Sequence, residues 1–520
     1  MLLSILTRNK TKKSKMRKTI QLALIISILL TGNFLKSQEL NASIKDANSK
    51  EPIPYVSVVL SNKKGVITNG EGKFSLSTAN TTAIDSIFIS CIGYNTIAQP
   101  VSTFTDSIIY MKPKTIELRE VLVSNKNYTG EEIIDMVKDS LDKNYNKDFT
   151  RKKMFFRESY YQGFDKTNYT FMKSTIKELN KPFIDSILNA VPKRDNSYSE
   201  ILCDLYGNYN RENMKIDGIK ACKLYDEKSE LDINNLEEKF NEIIKDNVRP
   251  DSYFKIKSGI FSTKVDAEEM GVADVKKDST ELQKELEKRK EEERIRNVGF
   301  AIHRKHTIGR QFENLFYMDD AKLNVITKSG RYNFTITDYT YWGNAPVYIL
   351  NFEPKRGEDY KGTMYVNADD FAVIRIDYEN VKNLKSIKLF GISYKEHLAN
   401  GKMIFAKNEN NTYDLQYLER ETGSKSGINR PLKIIEKNKV VKGRNKQNEL
   451  YVKLDMAFTN VIKYEIVVFD AEPITKADFT NFEEKKGVKP ELLRKYDPEF
   501  WKGYNIIEPN QAIKEFTAEE

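Results

Sequence analysis

Cysteine, histidine and tryptophan are scarce in this chain, which has 3 Cys, 3 His and 2 Trp in 520 residues. Three cysteines cannot build the multi-disulfide framework of small secreted domains. Cys203 and Cys222 are the candidate disulfide pair, and the alternative is two unrelated buried thiols. Cys91 lies in the apolar run IFISCIGY, where we expect a small buried hydrophobic residue.

The few histidines restrict the chemistry that the chain can carry. His303 and His306 form an HRKH pair, a spacing at which two helical side chains can share a metal. No glutamate follows in the metalloprotease pattern, Arg304 and Lys305 oppose a cation, and the third histidine is distant in sequence. The sequence therefore predicts no metal site.

Motifs for other chemistries are also missing. The stretch TNGEGKFS at 68–75 lacks the spacing of a phosphate-binding loop. GSKSG at 423–427 has a lysine where a nucleophile elbow has serine. We therefore predict that the protein is not an enzyme, with no catalytic residues and no cofactor.

Long apolar runs are confined to the first 37 residues. Met16-Arg17-Lys18 precedes an apolar segment at 19–32, and Ser37 is a small residue at a plausible cleavage point. This order is typical of a signal peptide, and the segment is shorter than the ~20 residues of a spanning helix. We predict a leader and signal peptide at 1–37, with an uncleaved anchor as the alternative.

An excess of positive charge is missing once the leader is set aside. The whole chain has a net charge of +9, but residues 1–37 carry eight Lys and Arg and no acidic residue. The remainder has 76 basic and 75 acidic residues, a net charge of +1. A nearly neutral protein has no basic surface for a polyanion, so we predict no nucleic-acid partner.

Short strands and turns dominate residues 38–124. Runs such as YVSVVLSN, GKFSLS and DSIFISCIGY alternate with glycine- and asparagine-rich turns, a pattern that predicts a small β-sandwich. Residues 40–124 resemble the carboxypeptidase regulatory-like domain, a transthyretin-like sandwich. The matching residues are Asp46, Pro52, Pro54, Gly70, Gly72, Phe74, Gly93 and Tyr94, and the departures are Asn69 and the Asn41-Ala42-Ser43 stretch.

That resemblance implies an accessory module. In carboxypeptidases the zinc chemistry lies in a separate domain, and in exported proteins of Gram-negative bacteria the module precedes outer-membrane barrels or other envelope domains. It therefore implies an interaction or spacing role without peptidase activity. With the leader, it predicts a protein that is exported to the periplasm or associated with the outer membrane.

Residues 125–300 are predicted to be a helix-rich mixed region, in which KKMFFRESYYQG at 152–163 reads as a strand. Thr129 and Glu132 form a capping box, and an apolar face follows at Ile133, Ile134, Val137, Leu141 and Tyr145. The stretch from Asp278 to Asn297 is strongly charged with both signs interleaved, which is typical of a solvated helix.

Residues 301–520 alternate apolar and polar residues with the period of a strand. Asn400-Gly401 is the strongest hairpin signal, and we expect a large curved antiparallel sheet with a C-terminal tail. Residues 322–470, through YKGTMYVNADDFAVIRIDYE, resemble the half-barrel of outer-membrane lipoprotein carriers, which implies an apolar cavity. The candidate ligand-facing residues are Tyr332, Phe334, Ile336, Ile374 and Ile376, and the alternative is that they are core.

The predicted fold class is mainly β with α+β parts: an N-terminal β-sandwich, a helical and charged middle, and a half-barrel-like sheet. The predicted function is a non-enzymatic envelope protein that binds a protein partner or an apolar ligand, with peripheral membrane association also compatible. Two alternatives are a hydrolase with an unrecognised site in the β-rich half, tested at His303 and His306, and an accessory component of an outer-membrane assembly.

Overall fold

The computed structural model describes residues 39–518 except 62–64, 79–80, 82–84, 106, 115–127, 250–251, 267–290, 292–293, 296–297, 356, 439, 441–444 and 485–487. The predicted leader, and most of the charged stretch from Asp278 to Asn297, lie outside the described residues. Among the helices that are described, none combines the length and the apolar composition needed to cross a membrane.

The N-terminal module is a β-sandwich, as predicted. Its described strands are β1 (Glu39–Asp46), β2 (Ser57–Leu60), β3 (Gly65–Ile67), β4 (Lys73–Ser77), β5 (Ser86–Ser90), β6 (Ile97–Pro100) and β7 (Ile108–Met111). They form one sheet in the order β4-β1-β7 and another in the order β3-β2-β5-β6. Alternate residues point inward, so that Ile44, Val58, Phe74 and Ile87 meet in one buried core.

Residues that carried the family resemblance hold the turns of this sandwich, which we call the sandwich from here on. The Asp46 carboxylate accepts the backbone N–H groups of Asn48 and Ser49 and, at 2.8 Å, the hydroxyl of Tyr94. Gly72 has a φ of 72°, and a Cβ there would lie 2.6 Å from the carbonyl oxygen of Ile44. The turn therefore requires glycine.

The remaining elements follow in chain order. They are α1 (Gly130–Asn144), β8 (Thr150–Ser174), α2 (Lys181–Ala190), β9 (Arg194–Gly207), β10 (Met214–Leu224), α3 (Glu227–Asn247), β11 (Ser252–Ser258), β12 (Phe261–Asp266), α4 (Phe300–Phe312), β13 (Tyr332–Trp342), β14 (Ala345–Pro354), β15 (Tyr360–Asn367), β16 (Val373–Asn380), β17 (Lys385–Leu389), β18 (Ile392–Lys407), β19 (Tyr413–Asn438), β20 (Lys446–Pro473), α5 (Lys476–Asn481), β21 (Glu491–Leu493) and α6 (Gln511–Lys514).

Strands β8 to β21 form one curved sheet of 14 described strands. Its main order is β13-β14-β15-β16-β18-β19-β20-β8-β9-β10-β21, with β11 and β12 attached to β19 and β17 attached to β18. Described pairs are antiparallel except β10 with β21. The protein is mostly β, and the predicted large antiparallel sheet is confirmed apart from this parallel pair.

The proposed boundary near residue 300 does not divide this sheet. Strands β8, β9 and β10 come from the region predicted to be helix-rich, yet β8 pairs with β20 along almost its whole length. The apolar alternation of these strands is interrupted by buried charged residues such as Lys152, Arg157 and Glu200. The start of β8, KKMFFRESYYQG at 152–163, is a strand as predicted, but its pairing with β20 does not follow from any local pattern.

Helices α1 and α4, with the segment that follows α4, cover one face of the large sheet. We call this face the core face. The capping box at the start of α1 is present, and Ile133, Ile134 and Val137 are buried as predicted. Gly130 approaches β13 so closely that a Cβ would lie 2.4 Å from the carbonyl oxygen of Phe334. Helix α4 buries Ile308 and Phe312 in the same core.

The hairpin predicted at Asn400-Gly401 is wrong. Both residues lie inside β18, which pairs with β16 on one side and β19 on the other. A side chain at position 401 would clash with Tyr378, because a Cβ there would lie 2.6 Å from the hydroxyl oxygen of Tyr378. A glycine that admits an aromatic ring across a strand has the same sequence signature as a turn.

The sandwich and the C-terminal tail, residues 491–518, cover part of the opposite face. Asn505 Oδ1 accepts the backbone N–H of Ser77 at 3.0 Å, and Glu39 accepts that of Gly503 at 2.8 Å. Gly93 N–H donates to the carbonyl of Tyr341 at 2.9 Å at the edge of the sheet. The sandwich is thus attached to both the tail and the sheet.

Candidate functional site

A row of charged residues crosses the large sheet from strand to strand. Direct cross-strand partners link, in order, Asp377, Lys402, Glu419, Glu465, Arg157 and Glu200. Because directly opposed residues share a face, all six side chains lie on the face opposite the core face. We call these six residues the charged row.

One end of the charged row is buried beneath the C-terminal tail. Arg157 is 1% exposed and donates through Nε to Glu200 at 2.6 Å and through an NH2 group to the carbonyl of Ile507 at 2.9 Å. The indole N–H of Trp501 donates to the other oxygen of Glu200 at 2.6 Å. Burial disfavours the guanidinium charge, but Glu200 and Glu465 outweigh it and raise the pKa of Arg157.

The middle of the charged row is held by a second cation. Lys463 Nζ lies 2.9 Å from Glu419 and 3.2 Å from Glu465. Burial lowers a lysine's pKa, but these two carboxylates outweigh it and raise the pKa of Lys463. Burial likewise opposes ionisation of Glu465, and Lys463 and Arg157 overcome it, so that the pKa of Glu465 is lowered.

The sandwich reaches the charged row through one tyrosine. The hydroxyl of Tyr55 donates to Glu419 at 3.1 Å, and the Nζ of Lys402 lies 4.2 Å from the centre of its ring. Tyr55 has a φ of 61°, which is unusual for a residue with a Cβ. Burial and the charge of Glu419 raise the pKa of Tyr55, so the phenol stays protonated as a donor.

The other end of the charged row opens into a groove of about 570 Å³ on the face of strands β14, β15, β16, β18 and β19. Two rows of polar side chains line it: Asn351, Thr363, Asp377, Lys402 and Glu419, and beside them Glu353, Lys361, Glu379, Asn400 and Glu421. We call this the groove. Burial lowers the pKa of Lys402 at its inner side, and Asp377 opposes that effect.

Carboxylates outnumber cations in the groove. Glu379 pairs with Lys361 at 3.0 Å, and Asp377 pairs with Arg375 at 2.7 Å. Glu421 accepts only an amide N–H, from Asn400 at 3.0 Å. The structure gives Glu353 and Glu421 no cationic partner among the described residues. Within the described residues, the groove therefore presents two carboxylates that have no ion pair, and Lys463, which is directly opposite Glu421, is bonded to Glu419 and Glu465.

A second groove, of about 830 Å³, lies beside α2. Its Asp185 is paired with Lys181 at 2.7 Å and accepts the hydroxyl of Tyr169 at 2.7 Å. Its Asp455 forms an ion pair with Lys166. Because these carboxylates already have partners, we take the groove beside the sandwich as the candidate site.

The five predicted ligand-facing residues lie elsewhere, on the core face. Tyr332, Phe334, Ile374 and Ile376 are buried, and Ile336 packs against the same cluster. Helix α1 covers β13, the strand that carries Tyr332 and Phe334. The surroundings of all five are core, which is the alternative that the sequence left open.

The candidate disulfide between Cys203 and Cys222 is wrong, since both thiols are free. Cys203 is opposite Gly218, whereas Cys222 is opposite Glu200. Glu200 and Cys203 are three residues apart on one strand, so the two sulfurs point to opposite faces of the sheet. Accordingly, Cys203 lies in the main core and Cys222 in the cluster beneath the tail.

The histidines do not meet. His303 and His306 lie on the exposed side of α4, whose buried side carries Arg304 and Lys305. His397 lies at an irregularity of β18. Within the described part of the chain, no group of three or more His, Cys, Asp or Glu has the arrangement of a metal site.

The family comparison bears on the sandwich. Residues 42–123 match the model of the CarboxypepD_reg-like domain. The sandwich is a CarboxypepD_reg-like domain, as its turns and prolines indicated. The match ends before α1, so it says nothing about the large sheet or the groove. No curated protein matches the chain.

Three solved structures have low similarity to the chain. A DUF1329 family protein from Desulfovibrio piger is 9% identical, covers 68% of this chain and 98% of its own, and has a TM-score of 0.17. The MucA/MucB complex of Pseudomonas aeruginosa is 7% identical, covers 63% of this chain and 93% of its own, and has a TM-score of 0.15. A protein of unknown function from Bacteroides fragilis, named as membrane-associated, is 9% identical. It covers 84% of this chain and 98% of its own, with a TM-score of 0.12. TM-scores this low carry no argument, and the lipoprotein-carrier resemblance stays a prediction.

Sequence reasoning missed the groove. The signal was present in segments such as LERE at 418–421 and IDYE at 376–379, where carboxylates occupy every second position. That alternation indicates a polar sheet face. Which carboxylates become neighbours depends on the register of five strands, and the sequence does not state that register.

Proposed function

We propose that this chain is a non-enzymatic, exported cell-envelope protein whose groove binds an extended cationic segment of a protein partner. The observation that carries the proposal is the pair of unneutralised carboxylates, Glu353 and Glu421, in an open polar groove. The sandwich serves as the interaction or spacing module, held on the inner side of the groove by Tyr55.

The dimensions of the groove suit a short extended segment. Glu353 lies on β14 and Glu421 on β19, four strand spacings apart across β15, β16 and β18. At ~4.8 Å per spacing this is roughly 19 Å, the length of about six residues of extended chain. A segment with lysine or arginine near both ends would pair with both carboxylates.

The other predicted roles have less support from the geometry. An apolar ligand lacks an open site at the five predicted residues, which are buried in the core. Native mass spectrometry of protein purified from its own envelope would reveal such a ligand as a stoichiometric adduct. A hydrolase would turn over generic ester or peptide substrates and lose that activity on substitution of His303 or His306. An assembly role is compatible with a protein partner in the groove.

The groove is tested by calorimetric titration with two synthetic peptides, one alternating lysine with serine and one alternating glutamate with serine. We expect only the lysine peptide to bind, and the E353K/E421K variant to bind it at least tenfold more weakly. The control variant D139K/D148K changes the net charge equally, at exposed positions away from the groove. Equal binding by the two variants would contradict the proposal.

The same variants test the site in the envelope. A photo-crosslinking residue at Thr363 should give one discrete protein adduct, and E353K/E421K should remove it while D139K/D148K keeps it. Deletion of residues 38–124 separates a partner held by the sandwich from one held by the groove. An adduct that survives E353K/E421K would mean that the partner does not use these carboxylates.

A further inference from the structure

Two hairpins meet turn to turn along the edge of β19. The β17–β18 hairpin follows β19 as far as the pair Ile392–Ile428, and the β11–β12 hairpin begins at the pair Lys257–Lys433. Their turns therefore face each other over residues 429–432. Both turns are fixed to β19 there: Asn429 N–H donates to the carbonyl of Gly391 at 2.6 Å, and the Arg430 guanidinium donates to that of Ser258.

Large apolar side chains are exposed where the turns meet. Ile260 is 79% exposed and Phe390 55%, and the rings of Phe261 and Phe390 lie 5.4 Å apart. The exposed apolar residues of the two hairpins, which we call the turn patch, are Ile260, Phe261, Ile387, Leu389, Phe390 and Ile392. A cluster of this kind marks an interaction surface, whereas single exposed apolar residues do not.

The turn patch is also an unpaired sheet edge. Among the described strands, β12 pairs only with β11 and β17 only with β18, so each leaves one side without a neighbour. Lysines on these strands discourage edge-to-edge pairing with another chain. This favours a partner other than a β-strand.

Basic charge surrounds the turn patch. The two hairpins, 252–266 and 385–396, carry six lysines against Asp266 and Glu396, a net charge of +4. The rest of the chain beyond residue 37 is therefore slightly acidic, since the total there is +1. Lys264 pairs with Asp266, and the lysines of the two hairpins are Lys255, Lys257, Lys264, Lys385, Lys388 and Lys395.

We propose that the turn patch inserts into the interface of an anionic lipid bilayer and holds the protein at the membrane surface. Apolar turn residues enter the boundary between headgroups and acyl chains, while long lysine side chains extend back to the lipid phosphates. The two hairpins carry a net charge of +4, while the rest of the chain beyond residue 37 sums to −3, and a basic hairpin pair is complementary to an anionic surface. This attachment is independent of the groove, and it leaves the groove free for a partner.

The test is flotation of the protein, expressed with residues 1–37 in place and purified from the envelope, with phosphatidylcholine vesicles containing about one-third phosphatidylglycerol. We expect binding that weakens with salt and is at least tenfold weaker on pure phosphatidylcholine. The variant F261S/L389S/F390S should lose binding at least tenfold, and K385E/K388E should lose the preference for anionic vesicles. The control M172S/I302S, which removes exposed apolar residues elsewhere, should bind like the wild type.

Two results would overturn the proposal. One is wild-type affinity in both F261S/L389S/F390S and K385E/K388E. The other combines two observations: the wild type does not float with anionic vesicles, and it self-associates with concentration in analytical ultracentrifugation. If F261S/L389S/F390S abolishes that self-association, the turn patch binds a second copy of the chain. Because K385E/K388E changes only exposed positions of an edge strand, it tests the proposal even if the apolar triple variant does not fold.

Discussion

The two ends of the charged row have the same kinds of residues but different surroundings. At the Arg157–Glu200 end the tail excludes water, and each charge has a partner at hydrogen-bond distance. At the Asp377 end the sheet opens into the groove, and two carboxylates there have no ion-pair partner among the described residues. The comparison teaches that coverage decides the role of a charged sheet face: a covered row holds the fold together, and an open row is available to a ligand.

The largest expected effect comes from removing the buried cation. Arg157→Met leaves Glu200 and Glu465 buried without their guanidinium, so the free energy of unfolding should fall by about 3–5 kcal/mol. Urea denaturation at neutral pH measures this. The open-end control Lys361→Met should change stability by only about 0.5 kcal/mol. Similar losses in the two variants would mean that coverage does not distinguish the two ends.

A smaller effect concerns pH. The pKa of Glu465 is lowered in the folded state, so its ionisation stabilises the protein above the unfolded value near 4.5, and that stability is lost as pH falls through the folded pKa. Between wild type and Glu465→Gln, the difference in unfolding free energy should therefore shrink below about pH 4.5, by about 1 kcal/mol per pH unit. Urea titrations at several pH values measure it.

The open-end control for this experiment is Glu379→Gln. This substitution removes only an exposed ion pair with Lys361, so the free energy of unfolding should change by at most about 0.5 kcal/mol. If the difference in unfolding free energy between wild type and Glu465→Gln grew on acidification, it would contradict the predicted direction of the pH dependence.

The smallest effect on stability is expected in the groove itself. Glu353→Gln with Glu421→Gln should leave the unfolding free energy within about 0.5 kcal/mol of the wild type, because neither carboxylate forms an ion pair with a described residue. The same double variant should still lose affinity for the lysine–serine peptide. A loss of several kcal/mol would show that these carboxylates have a structural role.

The sandwich could be predicted from sequence because its signals are local. Gly72 and the Asp46–Tyr94 pair fix turns within one short module, and the capping box of α1 involves only Thr129 and Glu132. Each depends on residues close in sequence or on a motif shared by a family. No register between distant strands is needed to recognise them.

The large sheet could be predicted only in part, because its pairings are distant. The start of β8 reads as a strand in the sequence, but β8 pairs with β20 some 300 residues away, and no local pattern states that pairing. Asn400-Gly401 has the sequence pattern of a turn, because the partner that requires glycine, the ring of Tyr378, lies on another strand. The groove was missed for the same reason, since it exists only in the assembled register.

The position of the C-terminal tail has a consequence for the order of folding. Gly503 bonds to Glu39, and the Asn69 amide donates to the carbonyl of Pro509 at 3.4 Å, contacts between residues more than 400 positions apart. Synthesis proceeds from the N-terminus, so the sandwich can form early, but its contacts with the tail form only after the last residues are made. Trp501 closes over Glu200 in that final step. The buried end of the charged row is therefore the last part of the molecule to be completed, and a chain that stops before residue 491 would leave it in water.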